Sequence, residues 1–154
     1  MLTVILPREQ AERILTALTK AKHREIGGIL MGEHVGASEF AVREITVHRR
    51  GSFASFLRRI EDALVQMHAF FKKTEHNYLR FNYIGEWHSH PLFDPIPSRR
   101  DDVSMQEIIQ DDTVGANFVV LLIVKIGTSG QLVATAHTYL PDGSRWSSNV
   151  KMEI

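Results

Sequence analysis

The chain contains no cysteine among its 154 residues. Disulfides, thiolate metal sites, a cysteine nucleophile and the cysteine-containing signature of zinc deaminases are therefore excluded. A Gly-x-Ser-x-Gly nucleophile elbow and a His-Glu-x-x-His helix are also missing from the sequence. Any zinc ion bound by this chain must therefore use nitrogen and oxygen ligands.

An excess of charge and a long apolar run are also missing. Eighteen basic residues balance eighteen acidic ones, which argues against a general nucleic-acid binder. The longest apolar stretch, residues 118–124, is far too short to span a bilayer, and no basic start followed by an apolar run opens the chain. We expect a soluble, cytoplasmic protein with neither a nucleic acid nor a membrane as its partner.

Proline is scarce, but three of the five prolines fall within residues 91–97. Proline fixes φ and removes a backbone donor, so this segment, here named the proline loop, is predicted to be stiff and non-helical. The preceding residues 78–87 are rich in strand formers and predict a strand that ends at His88 and His90. Side chains two apart on a strand project from one face, so the two imidazoles can converge on a single point.

A helix is predicted directly after the proline loop, with Ser98 as its N-cap and acidic residues in its first turn. Asp101 lies three residues after Ser98, a spacing that is common for capping alone. Likewise, His-x-His at a strand end is often no more than two partly exposed histidines. Taken together, His88, His90 and Asp101 form a three-ligand set that leaves a fourth tetrahedral position for water, as in catalytic zinc sites.

A zinc-bound water needs a proton acceptor, and Glu25 is the upstream candidate. It lies between an amphipathic helix predicted over residues 7–22 and an apolar strand predicted over residues 26–31. Gly27 and Gly28 follow, and paired glycines in a strand allow close approach of another backbone or a ligand, or form a plain bulge. Taken alone, Glu25 would be interpreted as a solvated turn carboxylate.

The distant Glu25 and the pattern His-x-His-(x)7-Ser-(x)2-Asp resemble the JAMM (MPN-plus) metalloprotease family, whose motif is filled here at every position. The resemblance implies one zinc ion per chain bound by His88, His90 and Asp101. It also implies that Glu25 is the general base and acid, and that Ser98 helps to hold the polarised water or the oxyanion. The implied activity is hydrolysis of an amide bond that joins ubiquitin, a ubiquitin-like protein or another small conjugate to its attachment point.

The order of predicted elements agrees with a single JAMM/MPN domain over residues 1–154. We expect an α/β sandwich, a largely antiparallel mixed sheet flanked by helices, with the cytidine-deaminase-like architecture that the resemblance implies. The predicted strands cover residues 2–6, 26–32, 40–47, 78–87, 117–125 and 131–140; the helices cover residues 7–22, 53–73 and the segment after Ser98; and a turn at 141–143 precedes a short tail.

The compact chain is most similar to bacterial stand-alone JAMM proteins. Some of these accompany ubiquitin-like, E1 and E2 proteins in conjugation operons, including antiphage defence systems. Others act on sulfur-carrier proteins or small amide conjugates, and relatives without the metal ligands serve as scaffolds. We expect the substrate's C-terminal tail to lie as an added strand between the proline loop and residues 53–82. Three apolar residues of the loop are candidate tail contacts or simple packing residues: Leu92, Phe93 and Ile96.

Overall fold

The computed structural model describes residues 1–49 and 56–153. Within them the chain alternates eight strands with three helices. The helices are α1 (Arg8–Ala21), α2 (Phe56–Lys73) and α3 (Arg99–Gln110), and the strands are β1 (Thr3–Leu6), β2 (Ile26–Gly36), β3 (Glu39–Ile45), β4 (His48–Arg49), β5 (Phe81–Ser89), β6 (Val119–Ile126), β7 (Leu132–Tyr139) and β8 (Arg145–Met152).

Seven of these strands form a closed barrel. They pair in the order β3-β1-β8-β7-β6-β5-β2, and β2 pairs back onto β3, while the two-residue β4 pairs antiparallel with Ile26 and Gly27 at the start of β2. The expected α/β sandwich with a cytidine-deaminase-like architecture is therefore wrong, although the fold does mix helices and strands. The physical reason is the length of β2, whose eleven residues pair with β5 along one edge and with β3 along the other.

Strand β8 was missed, because its sequence predicts only a tail. Residues Arg145 to Met152 pair antiparallel with β7 and parallel with β1, so this strand joins the two halves of the barrel. Its exposed face is built from Arg145, Ser147, Asn149 and Lys151. Trp146, Val150 and Met152 alternate with these polar residues, but Ser148 interrupts the apolar series, so only part of the period-two pattern on which a strand prediction rests is present.

The helices divide the core into an inner cluster and two outer ones. Helix α1 follows Pro7, whose fixed φ suits a helix entry, and its apolar face joins the inner residues of the barrel, among them Leu30, Ile84, Val120 and Leu122. Helix α3 packs on the outer side of β6 through Met105, Ile108, Val119, Leu121 and Ile123. Helix α2 covers β2 through Ala63, Met67, Phe70, Ile29 and Met31.

Most of the other predicted elements are confirmed within a few residues. The first helix and the strands that precede and follow it lie where the hydrophobic periodicity indicated. The second helix was predicted from residue 53; residues 53–55 lie outside the described part of the chain. None of the described helices is long and apolar enough to cross a membrane. The single domain over residues 1–154 and the cytoplasmic location stay predictions.

Candidate functional site

The register between β2 and β5 brings the upstream glutamate next to the histidines. Gly27 is paired with His88 across the two strands. Continuing this antiparallel register by two residues places Glu25 opposite His90, on the same face of the sheet. The charge of Glu25 is close enough to contribute to a raised pKa of His90. Two segments separated by more than sixty residues thus meet at one point.

The serine between the two histidines fixes this meeting point from the other face of β5. The buried Ser89 hydroxyl accepts a hydrogen bond of 2.9 Å from the backbone N–H of Ile26. That N–H belongs to the residue directly after Glu25, so Ser89 holds the start of β2 in register. This hydrogen bond was not predicted from the sequence.

A close approach at Gly28 supports the same strand pair. A Cβ built on Gly28 would lie 1.8 Å from the carbonyl oxygen of Thr46 and 2.8 Å from the indole nitrogen of Trp87. The Trp87 Nε1–H donates a hydrogen bond of 2.8 Å to that same carbonyl. The predicted use of the paired glycines for close backbone approach is therefore confirmed at Gly28.

Asp101 lies between the two imidazoles. Its Oδ1 is 3.0 Å from Nδ1 of His88, and its Oδ2 is 3.0 Å from Nε2 of His90. All three side chains are buried, with exposed fractions of 1%, 1% and 5% for Asp101, His88 and His90. The structure thus brings together the three residues that the sequence predicted as metal ligands, although their role as ligands stays a prediction.

Asp101 also caps helix α3, so both interpretations of the Ser-x-x-Asp spacing have a structural basis. The Ser98 hydroxyl donates to Asp101 Oδ2 at 2.9 Å, and the Ser98 backbone N–H donates to the same oxygen at 3.0 Å. The backbone N–H of Asp101 in turn donates to the Ser98 hydroxyl at 3.1 Å, which completes a capping box. The helix start therefore orients the carboxylate toward the histidines.

These contacts set the charge state of the cluster. Burial alone would raise the pKa of Asp101, but its hydrogen bonds with His88 and His90 hold that pKa far below its usual range. The pKa of His90 is raised, chiefly by its hydrogen bond with Asp101, and this effect outweighs the opposite effect of burial. The carboxylate is therefore ionised, and protons or a cation are favoured on the imidazole side.

The donor set fits a divalent cation in its chemistry, because two imidazoles and one carboxylate are common zinc ligands. Among the described residues, no three His, Asp or Glu side chains are arranged as they would be around a metal ion. Here the ring nitrogens contact Asp101 directly, so metal bonds would replace these hydrogen bonds. Nε2 of His88 is buried without a hydrogen-bond partner, and it lies 3.6 Å from Glu86 Oε2. It is the other ring nitrogen, Nδ1, that faces Asp101, so the fit to a cation rests on the donor types and not on this nitrogen.

The proline loop lies at the rim of this cluster. Its apolar side chains Leu92, Phe93 and Ile96 are 64%, 59% and 63% exposed, so they are not packed into the core. The nearby His137 is buried, and its Nε2 contacts the hydroxyl of Thr135 at 3.0 Å, so this histidine has a hydrogen-bond partner.

The comparisons with known proteins show the family of the chain. Residues 7–138 match the family described as prokaryotic homologs of the JAB domain, and the chain belongs to that family. The resemblance inferred from Glu25 and the His-x-His motif is thereby confirmed. A curated relative named CD-NTase/cGAS isopeptidase, from Enterobacter hormaechei, is 32% identical over 110 residues. The match covers 69% of this chain and 58% of the relative, so it spans less than two thirds of the relative's length.

Two solved structures share the fold. A protein from Desulfitobacterium hafniense has a TM-score of 0.69 at 17% identity, with 97% of this chain and 92% of that chain covered. A protein from Salinibacter ruber has a TM-score of 0.58 at 19% identity, with 99% and 92% covered. Both likenesses concern the fold alone.

Proposed function

We propose that this protein is a zinc-dependent isopeptidase that hydrolyses the amide bond after the C-terminal tail of a ubiquitin-like protein. The observation that carries the proposal is the convergence of His88, His90 and Asp101 next to the segment that bears Glu25. Membership of the JAB family and an isopeptidase-named relative support a hydrolase. Beyond a hydrolase, we propose that the metal is zinc and that the substrate is a ubiquitin-like protein.

His88, His90 and Asp101 would hold the zinc ion, one per chain. When bound, zinc supplies a Lewis acid that polarises a carbonyl and lowers the pKa of water to about 7. The capping box contributes to this site before any metal arrives, because it fixes the carboxylate, whose pKa is lowered chiefly by His88 and His90. A pre-oriented ligand loses less conformational entropy on binding.

Glu25 is proposed to accept the proton of the attacking water and to return it to the leaving amine. Its register position opposite His90 supports this role. Ser98 is proposed to donate to the oxyanion. In this structure the Ser98 hydroxyl donates to Asp101 Oδ2, so its proton has to turn away from Asp101 for that role.

The proposed substrate contact involves the exposed apolar side chains of Leu92, Phe93 and Ile96, which lie beside the cluster. An extended tail could lie between the proline loop and residues 53–82, the first three of which lie outside the described part of the chain. The name of the Enterobacter relative supports action on a conjugate. We therefore propose that the protein works alongside E1-like and E2-like proteins, in a bacterial conjugation or antiphage defence system.

The metal part is tested by elemental analysis of protein purified without chelators. We expect about one zinc per chain in the wild type and a loss of zinc in His90→Ala. His76→Ala is the matched control, since His76 is an exposed residue at the end of α2. Wild-type protein that contains no zinc after incubation with zinc salts would contradict the proposal.

The substrate part is tested with a ubiquitin-like protein fused through its C-terminus to a reporter. We expect cleavage at the junction, and strong slowing when bulky residues replace the terminal glycines of the tail. Equal cleavage of the blocked tail, or activity only on small amide conjugates or sulfur-carrier adducts, would contradict this substrate. Zinc binding without hydrolysis of any of these compounds would indicate a scaffold instead.

A further inference from the structure

The proline loop is attached to the barrel through three consecutive backbone carbonyls. Lys125 Nζ donates to the carbonyl of Phe93 at 3.0 Å. Nδ1 of His90 lies 3.1 Å from the carbonyl of Asp94. The Thr135 hydroxyl donates to the carbonyl of Pro95 at 2.5 Å. Three neighbouring strands, β5, β6 and β7, therefore each contribute a side chain to one stretch of the loop.

The loop needs such external contacts, because it has few hydrogen bonds of its own. Proline lacks a backbone N–H, and three of the seven residues are prolines. The backbone N–H of Ile96 donates to the carbonyl of Asp94 within the loop at 2.8 Å. The backbone N–H of Phe93 donates to the carbonyl of His90, the residue that precedes the loop, at 3.4 Å. The carbonyls of residues 93–95, by contrast, are bound by side chains from outside the loop. These three residues lie in sequence between Leu92 and Ile96, whose side chains are exposed.

His137 orients the Thr135 hydroxyl, which donates a hydrogen bond to the Pro95 carbonyl. A hydroxyl has one proton, and that of Thr135 is donated to the Pro95 carbonyl. The 3.0 Å contact between Thr135 Oγ1 and His137 Nε2 must then be a hydrogen bond donated by His137. Both the Nε2–H tautomer and the protonated ring can donate from this atom, so the hydroxyl stays pointed at the loop in either state.

We propose that Lys125 and Thr135 are positioning residues that hold the proline loop, and with it the apolar surface of Leu92, Phe93 and Ile96, in the conformation that receives the substrate tail. The part that concerns the substrate rests on the proposed function. Neither residue is near the loop in sequence, and neither belongs to the His-x-His, Ser and Asp motif. Ser98 and Asp101 hold each other through the capping box, so loss of the tether is expected to affect binding of substrate more than the chemical step.

The first measurement requires no activity. Amide hydrogen exchange of Ile96 is compared between the wild type, Thr135→Val and Thr135→Ser. Valine keeps the shape but lacks the hydroxyl, so exchange should be about fivefold faster, while serine should restore the wild-type rate. Thr138→Val is the matched control, because Thr138 lies on the same strand and its hydroxyl bonds to Ser148 at 2.6 Å, away from the loop.

The second measurement uses the fusion substrate. Thr135→Val and Lys125→Met should each raise KM about fivefold with kcat changed less than about twofold, and Thr135→Ser should keep the wild-type KM. Equal exchange in Thr135→Val and Thr138→Val would overturn the tether. Faster exchange with an unchanged KM would overturn its role in substrate binding. A wild type that cleaves no fusion would count against the proposed function and the substrate role, while the exchange comparison would still decide the tether.

Discussion

Two buried carboxylates occupy opposite ends of the β2–β5 strand pair, and they are neutralised in different ways. Glu33, paired in register with Phe81 at the start of β5, forms ion pairs with Arg43 at 3.1 Å and with Arg80 at 3.2 Å. Asp101, at the other end, is bound by two imidazoles and by Ser98. Both carboxylates are almost completely buried.

The two carboxylates differ in whether their partners can lose a proton. Guanidinium groups stay protonated at any accessible pH, so Glu33 is held by permanent cations and has no vacancy for another ligand. Imidazoles lose their protons near neutral pH and can then donate electron pairs to a metal. The same kind of buried charge therefore stabilises the barrel at one end and is available for chemistry at the other.

The largest effect on activity is expected from Glu25→Gln. This substitution changes only the end of the β2–β5 pair that lies near Asp101. The amide has the shape of the carboxylate but cannot accept a proton, so kcat should fall by about 10²-fold to 10⁴-fold while zinc content and stability remain. The matched variant is Glu33→Gln, which makes the same change at the other end and should leave kcat near the wild-type value. Near-normal hydrolysis by Glu25→Gln would show that Glu25 is not the base.

Ser89→Ala tests whether activity depends on the register of β2 against β5. Removal of the hydroxyl leaves the buried N–H of Ile26 without its acceptor, which should cost about 1–3 kcal/mol of unfolding free energy. Because that N–H follows Glu25, kcat should fall as well. Urea denaturation and steady-state kinetics measure the two effects. A fully stable and active variant would mean that the register is set without Ser89.

Glu33→Gln should lower the free energy of unfolding by about 1–2 kcal/mol, less than for a fully buried pair, because Arg43 and Arg80 are partly exposed and can rehydrate. Thermal or urea unfolding measures this loss. If Glu33→Gln instead abolished activity without a loss of stability, the division between a structural and a chemical carboxylate would be wrong.

The smallest effect is expected in the pH dependence of the free energy of unfolding, to which His137 contributes. Burial lowers the pKa of His137, and the nearby Arg145 lowers it further against the opposing charges of Asp102 and Asp101. The folded state therefore binds this proton less readily than the unfolded state does, so stability is lost as pH falls through about 6.5, the ordinary histidine value. His137→Gln, which keeps an N–H donor, should show a shallower loss between pH 7 and pH 5 in urea titrations. An unchanged slope would contradict this assignment.

The sequence predicted the site better than the architecture that surrounds it. His88, His90, Ser98 and Asp101 lie within one short segment, so a strand end, a stiff loop and a helix cap bring them together through local rules. The meeting with Glu25 depends on a strand pairing, and only the resemblance to a known family indicated it.

Barrel closure and the loop tether could not be predicted in this way. Closure depends on β8, whose alternating pattern is interrupted at Ser148, and on the pairing of β2 along its second edge. The tether joins Thr135 to Pro95 across forty positions, and an isolated threonine in a strand is unremarkable in a sequence. Contacts of this kind follow from the topology, which local patterns do not specify.

The capping box has a consequence for how such sequences evolve. Ser98 and Asp101 begin a helix whether or not a metal is present, and an N-cap of this kind is worth about 1 kcal/mol. A descendant that lost hydrolysis would still be under selection to keep Ser-x-x-Asp, whereas its two histidines would be free to drift. Under the proposed function, we therefore expect His88 and His90, and not the serine and aspartate, to distinguish active relatives of this chain from inactive ones.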